Sequence, residues 1–283
     1  MTTKYVSLIV TERCNLNCIY CYEKNKSDAM MDISTIECIL GREFDLFLSD
    51  SKYDLMEIQP FGGEPFANFP ALKFIVDYIR NHPIEKTVRV FITTNGTLVH
   101  GHVQEWLLKN KDLVYCVVSL DGTREMHNIN RSGSYDMIDF NFFLNNYSSQ
   151  SVKMTVSPYT LSNLAKGIIH CHELGYNVDC NLAYGVDLSN KLFAPILERQ
   201  LQILVDYYLD HPGIEPCSML GKTITACRRD RVKSKKWCDA GTNVVCYDVC
   251  GHAYPCQFFL PMSIGRIRTS KLNVRFCEEF PTE

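Results

Sequence analysis

No apolar run in this 283-residue chain is long enough to cross a bilayer, which takes about 20 residues. The first residues, Met1 to Arg13, lack the layout of a secretory signal, because their short apolar run ends in charge. The net charge of −3 leaves no basic footprint for nucleic acid. No low-complexity linker or internal repeat interrupts the chain. These absences predict a single cytoplasmic protein with no membrane and no nucleic-acid partner. Cysteine, by contrast, is plentiful, with fourteen copies. Without an export signal, clustered cysteines point to metal rather than disulfides. Three of them lie at residues 14–21 and seven between 217 and 277. The remaining four, Cys38, Cys116, Cys171 and Cys180, are scattered and read as small buried apolar residues.

The middle of the chain alternates strand and helix signals. Strand patterns rich in Val, Ile, Leu, Tyr or Thr occur at Val6–Val10, Leu55–Pro60, Val88–Thr93, Tyr115–Leu120, Val152–Ser157 and Val178–Tyr184. Helical spacing follows each of them, at Ile33–Ser49, Phe69–Asn81, Val103–Lys109, Tyr135–Tyr147, Leu161–Leu174 and Asn190–Leu209. Six such units predict parallel strands joined by right-handed crossovers. The count falls two short of a closed eightfold barrel, so the expectation is α/β: a partial (β/α)6 TIM-like barrel. After about residue 213 the helical periodicity fades and cysteines become dense. The domains expected are residues 1–213, the partial barrel, and 214–283, a small cysteine-rich C-terminal extension. The basic run Arg228 to Lys236 reads as a solvated face.

Sites in parallel α/β folds lie at the C-terminal ends of the strands, and the polar motifs obey this. Cys14, Cys18 and Cys21, spaced C-x3-C-x2-C, follow strand one. Gly62-Gly63-Glu64-Pro65 follows strand two, Asn95 lies after strand three, and Ser119 and Asp121 end strand four. Three thiolates on one loop can hold three corners of a cubane [4Fe–4S] cluster. The fourth iron is then left open to a small molecule. Zinc also uses C-x2-C spacing, but it wants four closed ligands, and no fourth Cys or His lies nearby in sequence.

Cys14-x3-Cys18-x2-Cys21, with Tyr20 just before the last cysteine, resembles the radical S-adenosylmethionine (radical SAM) superfamily. The resemblance implies that the open iron chelates the amino and carboxylate groups of SAM. It further implies that an electron from the cluster splits the sulfonium, and that the 5′-deoxyadenosyl radical takes a hydrogen atom from substrate. Gly62, Gly63, Glu64 and Pro65 look like the family's glycine-rich motif, which meets the SAM ammonium through a bare backbone. Ser119 and Asp121 match the position that contacts ribose or the SAM carboxylate. Asn95 would line the site, and Tyr20 would pack on adenine. Asp121-Gly122-x4-His127-x3-Arg131 resembles the strand-four loop of peptide-modifying members, with Arg131 able to fix a carboxylate.

Cys238, Gly251 and Cys256 form C-x12-G-x4-C, similar to the opening of the SPASM extension, which carries auxiliary [4Fe–4S] clusters. The dense second cysteine set of a full SPASM module is missing, so the segment resembles the shortened twitch form with one auxiliary cluster. Val249-Cys250-Gly251 predicts a type I turn closing on a glycine bulge. In that register Cys246 and Cys256 share a sheet face. The ligands favoured are therefore Cys238, Cys246, Cys256 and Cys277. Cys227 and Cys250 remain as reserves, either of which could instead donate a hydrogen atom to a substrate radical. Gln257 stands where sulfatase maturases carry an aspartate base, and an amide cannot accept that proton.

The function expected is hydrogen abstraction from a ribosomally synthesised peptide. It would lead to a thioether, carbon–carbon or cyclophane crosslink, or to epimerisation. The alternatives are a twitch-type dehydrogenase of a sugar or cyclitol, and a sulfatase-maturase-like activating enzyme. The expected partners are a peptide, a separate leader-binding protein, and an electron donor such as flavodoxin or ferredoxin.

Overall fold

The computed structural model describes residues 2–222 and 238–265. Cys227 and Cys277 lie outside the described residues, as does the whole basic run.

The six strand–helix units appear in the expected order. They are β1 (Thr3–Thr11), α1 (Ile33–Ser49), β2 (Leu55–Gly62), α2 (Phe69–Asn81), β3 (Thr87–Thr94), α3 (His102–Lys109) and β4 (Val114–Val118). Then come α4 (Arg124–Asn130), α5 (Phe140–Tyr147), β5 (Val152–Val156), α6 (Leu164–Glu173), β6 (Val178–Leu182) and α7 (Phe193–Asp210). β1 to β4 are parallel neighbours. β5 and β6 form their own parallel pair. A bridge from Ser119 to Lys153 and a hydrogen bond from Leu120 N–H to the Lys153 carbonyl join that pair to the end of β4. The six strands thus follow one another as an open barrel.

β7 (Val244–Tyr247) runs parallel to the free edge of β1, with Tyr5 opposite Val244. β8 (Ala253–Tyr254) returns antiparallel to it, and the short helix α8 (Pro261–Ile264) follows. Covering the β1 edge satisfies a row of backbone groups that would otherwise be exposed.

The helices cover one face of the sheet. α1 buries Ile36, Ile39, Leu40, Phe44 and Phe47, and α2 buries Ala71, Leu72, Ile75, Val76 and Ile79. Both sets recur at three or four residues, the spacing of a single helix face. They meet Val6, Leu8, Val10, Ile58, Val90 and Ile92 of the strands in one core. Phe47 is fully buried there, and its truncation to alanine costs about 3–5 kcal/mol. The other sheet face is polar near its base, where Ser7 donates to Gln59, Gln59 to Glu57, and Arg89 to Glu57. Polar groups on the face opposite the helices leave room for a cavity above them.

The sequence pattern departs from the fold in two places. Tyr135–Tyr147 is not one helix: a 3-10 turn covers Tyr135–Met137, and α5 starts afresh after Asp139, whose carboxylate accepts from Phe142 N–H. The segment after Asp121 contains the seven-residue α4, capped by Thr123. So short a helix shows too few apolar repeats to be read from sequence.

Candidate cofactor site and its cysteine loop

The loop after β1 is closed at its base and sewn to three neighbouring elements. Thr11 bridges Met30, Glu12 N–H donates to the Ala29 carbonyl, and Thr11 Oγ1 donates to that same carbonyl. Farther out, Asn15 donates to Thr97 Oγ1 and accepts from Asn95 Nδ2, both in the loop after β3. Ile19 N–H donates to the Asn130 carbonyl of α4, and Tyr20 donates to Asp121 beyond β4. Cys14, Cys18 and Cys21 are all half-buried and free of disulfides.

Gly62 and Gly63 fix how β2 meets this loop. Gly63 N–H donates to the Thr11 carbonyl and Glu64 N–H to the Arg13 carbonyl. A Cβ on Gly63 would lie 2.4 Å from the Arg13 oxygen. One on Gly62, whose φ is +131°, would lie 1.9 Å from the Thr11 oxygen. The bare backbone is therefore needed for the cysteine loop itself to approach. Glu64 is buried behind it, where it accepts from Thr94 Oγ1, Asn95 N–H and Phe66 N–H. Burial raises its pKa against these hydrogen bonds, which lower it. Pro65 opens the 3-10 turn that Glu64 caps.

Asp121 is fully buried and engaged on both oxygens. Oδ2 accepts from Tyr20 and Asn130, and Oδ1 from Thr155 N–H and Arg131 Nη2. Arg131 Nε also lies 3.0 Å from Oδ2. It is off-line for a hydrogen bond and meets the carboxylate as an ion pair. The guanidinium sits over the Tyr20 ring, 5.5 Å from its centroid. His127 Nδ1 accepts from Asp121 N–H, and its other nitrogen meets Ser134 Oγ.

All three thiols open onto one cavity of about 350 Å³. Tyr20, Gly62, Gly63, Glu64, Asn95, Ser119 and Arg131 line it with them. Pro65 and Asp121 stand behind that lining. The donor set suits an iron–sulfur group. The three free thiols face a pocket whose wall carries amide, hydroxyl and guanidinium groups for a polar ligand. Burial pushes the Cys18 thiol up to about 11, with Arg131 the main opposing influence. Ligation to a metal cluster would hold such a buried sulfur as thiolate.

Several lining residues were not legible as site residues. Thr155, Lys153 and Asn181 enter from β5 and β6. Tyr22, Tyr184 and Phe258 form an aromatic wall, with Tyr22 and Tyr184 ring centroids 4.9 and 4.4 Å from Phe258. Lys26 and Glu23 lie within the cysteine loop. Tyr22 and Glu23 directly follow Cys21, and Tyr184 follows the end of β6, which are the available signals.

The C-terminal segment packs against this loop, and Asn25 N–H donates to the Met262 carbonyl. The β7–β8 turn has the expected form, with Gly251 at φ +83° and its N–H on the Asp248 carbonyl. Cys246 opposes Tyr254 and is fully buried; Cys256 is half-buried and Cys238 exposed. Burial raises the pKa of Cys246 and of Cys256, with Cys256 adding to the effect at Cys246 and Cys238 to that at Cys256. Cys250 is not brought to the cavity. It lies exposed at the turn with Asp248 and His252, their ligand atoms within 4.8 Å of one another. Gln257 does not line the cavity, whereas the adjacent Phe258 does.

A parallel α/β barrel with three thiols over its glycine-flanked rim defines a class. Residues 8–142 match the family model described as "Radical SAM superfamily". The chain carries a radical SAM domain there, a match that spans just under half of its length. Among curated proteins it is 38% identical over 120 residues to an uncharacterized protein of Methanocaldococcus jannaschii, covering 42% of this chain and 39% of that one. The chain thus spans well under two thirds of that relative. Among solved structures, native anSMEcpe with bound AdoMet and Cp18Cys peptide superposes with a TM-score of 0.72. It is 18% identical, covering 91% of this chain and 75% of that one. Streptococcus suis SuiB bound to precursor peptide SuiA gives 0.63, at 16% identity, covering 94% of this chain and 61% of that one. At these identities the two structures establish the fold. No helix among the described residues is long and apolar enough to cross a membrane.

Proposed function

We propose that this chain is a radical SAM enzyme that modifies a ribosomally synthesised peptide. The observation that carries the reading is the shared cavity, where Cys14, Cys18 and Cys21 face the strand-end residues Gly62, Gly63, Asn95, Ser119 and Arg131. These thiols would hold a [4Fe–4S] cluster. When bound, such a cluster supplies an electron and an open iron for reductive cleavage of SAM, which begins hydrogen abstraction from substrate.

The chain's own residues do the positioning. The hydrogen bonds of Asn15, Ile19 and Tyr20 hold the cysteine loop over the strand ends. Ser119 and Asn95 offer polar contacts to a ribose or an amino-acid head group. Asp121 acts through Arg131, holding the guanidinium at the cavity wall where it can pair with a carboxylate. Tyr22, Tyr184 and Phe258 present an apolar wall on the side nearest the C-terminal segment.

In this reading residues 1–213 are the catalytic barrel and 214–283 an auxiliary-cluster unit. Cys238, Cys246 and Cys256 would hold the second [4Fe–4S] cluster with Cys277. That cluster would serve as electron acceptor in a net oxidation, giving a thioether, carbon–carbon or cyclophane crosslink. Epimerisation would instead need a hydrogen donor, and the exposed position of Cys250 favours crosslinking over that use of it. Flavodoxin or ferredoxin in the cytoplasm would deliver the electron, and a separate protein would bind the leader of the peptide. The peptides named in the anSMEcpe and SuiB structures support the substrate class.

The test is anaerobic co-expression with candidate short peptides from neighbouring genes, followed by mass spectrometry. Loss of two hydrogens per modification is expected. An unchanged peptide accompanied by turnover of a sugar or cyclitol would replace this reading with the dehydrogenase one.

A further inference from the structure

Lys26 lies in the same loop as the three cysteines, with Nζ 3.4 Å from Cys21 Sγ, and it lines the same cavity. The turn leading into it is held, since Lys24 N–H donates to the Tyr22 carbonyl and Asn25 N–H to Met262 of the C-terminal segment. The side chain springs from that turn, and its contact with Cys21 Sγ places the ammonium. Glu23, an acid of the same loop, is buried and has one oxygen without a hydrogen-bond partner.

An ammonium beside a cluster sulfur has a defined electrostatic effect. Reduction adds a negative charge to the cluster, and a fixed cation with an N–H···S contact stabilises that charge. Hydrogen bonds to the sulfurs, net charge and solvent exposure set the reduction potentials of such clusters over a wide range. Partners outside the ligand shell tune metal sites in the same way. We propose that Lys26 is a potential-tuning residue, which raises the reduction potential of the cluster held by Cys14, Cys18 and Cys21 by donating to Cys21 Sγ. The inference rests on the three-thiol reading above. It assigns Lys26 to electron entry, separate from the Ser119, Asn95 and Arg131 groups assigned to ligand binding.

The test is an EPR-monitored redox titration of the anaerobically reconstituted full chain, following the reduced signal that changes when SAM is added. That criterion selects the cysteine-loop cluster over any auxiliary one. Lys26→Gln should move the midpoint to a more negative potential at unchanged iron content, and Lys26→Arg should leave it near wild type. Lys26→Met, which removes the charge but keeps the length, should behave as Lys26→Gln does. A midpoint equal to wild type in both uncharged variants overturns the proposal, even if SAM affinity falls, since Lys26 would then be a ligand contact. Wild-type protein without any SAM-responsive cluster would overturn the three-thiol reading itself, and this inference with it.

Discussion

Tyr20 donates its phenolic hydrogen to Asp121 Oδ2 across 2.7 Å, linking positions 101 residues apart. The contact ties the cysteine loop to the end of β4, where Arg131 shares the same carboxylate. The Tyr20–Arg131 side of the cavity therefore rests on one buried acid.

Removing that acid should be costly. Asp121→Ala leaves the Arg131 cation buried and unpaired, which typically destabilises by about 3–5 kcal/mol. Tyr20→Phe removes one hydrogen bond and should cost about 1 kcal/mol. Urea unfolding of both variants checks the order. Equal stability of Asp121→Ala and wild type would show that the ion pair does not support the wall.

Gly63→Ala should displace the cysteine loop, because the added methyl falls 2.4 Å from the Arg13 oxygen. The expected result is loss of iron on reconstitution, with helical content largely retained. Gly213→Ala, where nothing lies within 4 Å of the new methyl, serves as the control and should load normally.

His127 sets an acid limit on stability. Burial depresses its pKa from 6.5 to about 4, with Asp121 raising it and Arg131 lowering it. Nδ1 already accepts from Asp121 N–H, so a proton there breaks that contact. A depressed folded-state pKa means that the contribution is complete above pH 6.5 and lost as pH falls through about 4. The shift corresponds to about 3 kcal/mol. His127→Asn should flatten the dependence of unfolding free energy on pH across this window. An unaltered slope would place the titrating group elsewhere.

Iron content separates one cluster from two. Wild-type protein should bind about eight irons per chain, and the Cys238→Ala, Cys256→Ala double variant about four, since each cubane holds about four. A wild-type content of about four would remove the auxiliary cluster from the account.

The strand-end motifs were legible because parallel strands send their C-terminal ends to one rim, so Cys14, Gly62, Asn95 and Ser119 had to converge. The β7–β8 turn was legible for a different reason, since Gly251 takes the positive φ that closes it. What escaped depends on long-range packing. The glycines of the second motif suggested close approach of a ligand, and the fold adds a second demand on them, the Thr11 and Arg13 carbonyls packed against them. Asp121 looked ready for an external contact, but α4 delivers Asn130 and Arg131 to it from within. The aromatic wall joins three segments with no common period, and Lys26 reads in sequence as an ordinary loop lysine. β7 gives no sign in sequence that its partner is β1.

The central claim is that the cysteine loop holds a cluster competent to split SAM. The most direct measurement is 5′-deoxyadenosine formation by anaerobically reconstituted protein with SAM and dithionite, compared with Cys18→Ala. Wild type should form it, and Cys18→Ala should form none. Formation by the variant at the wild-type rate, or no formation by an iron-loaded wild type, would contradict the account.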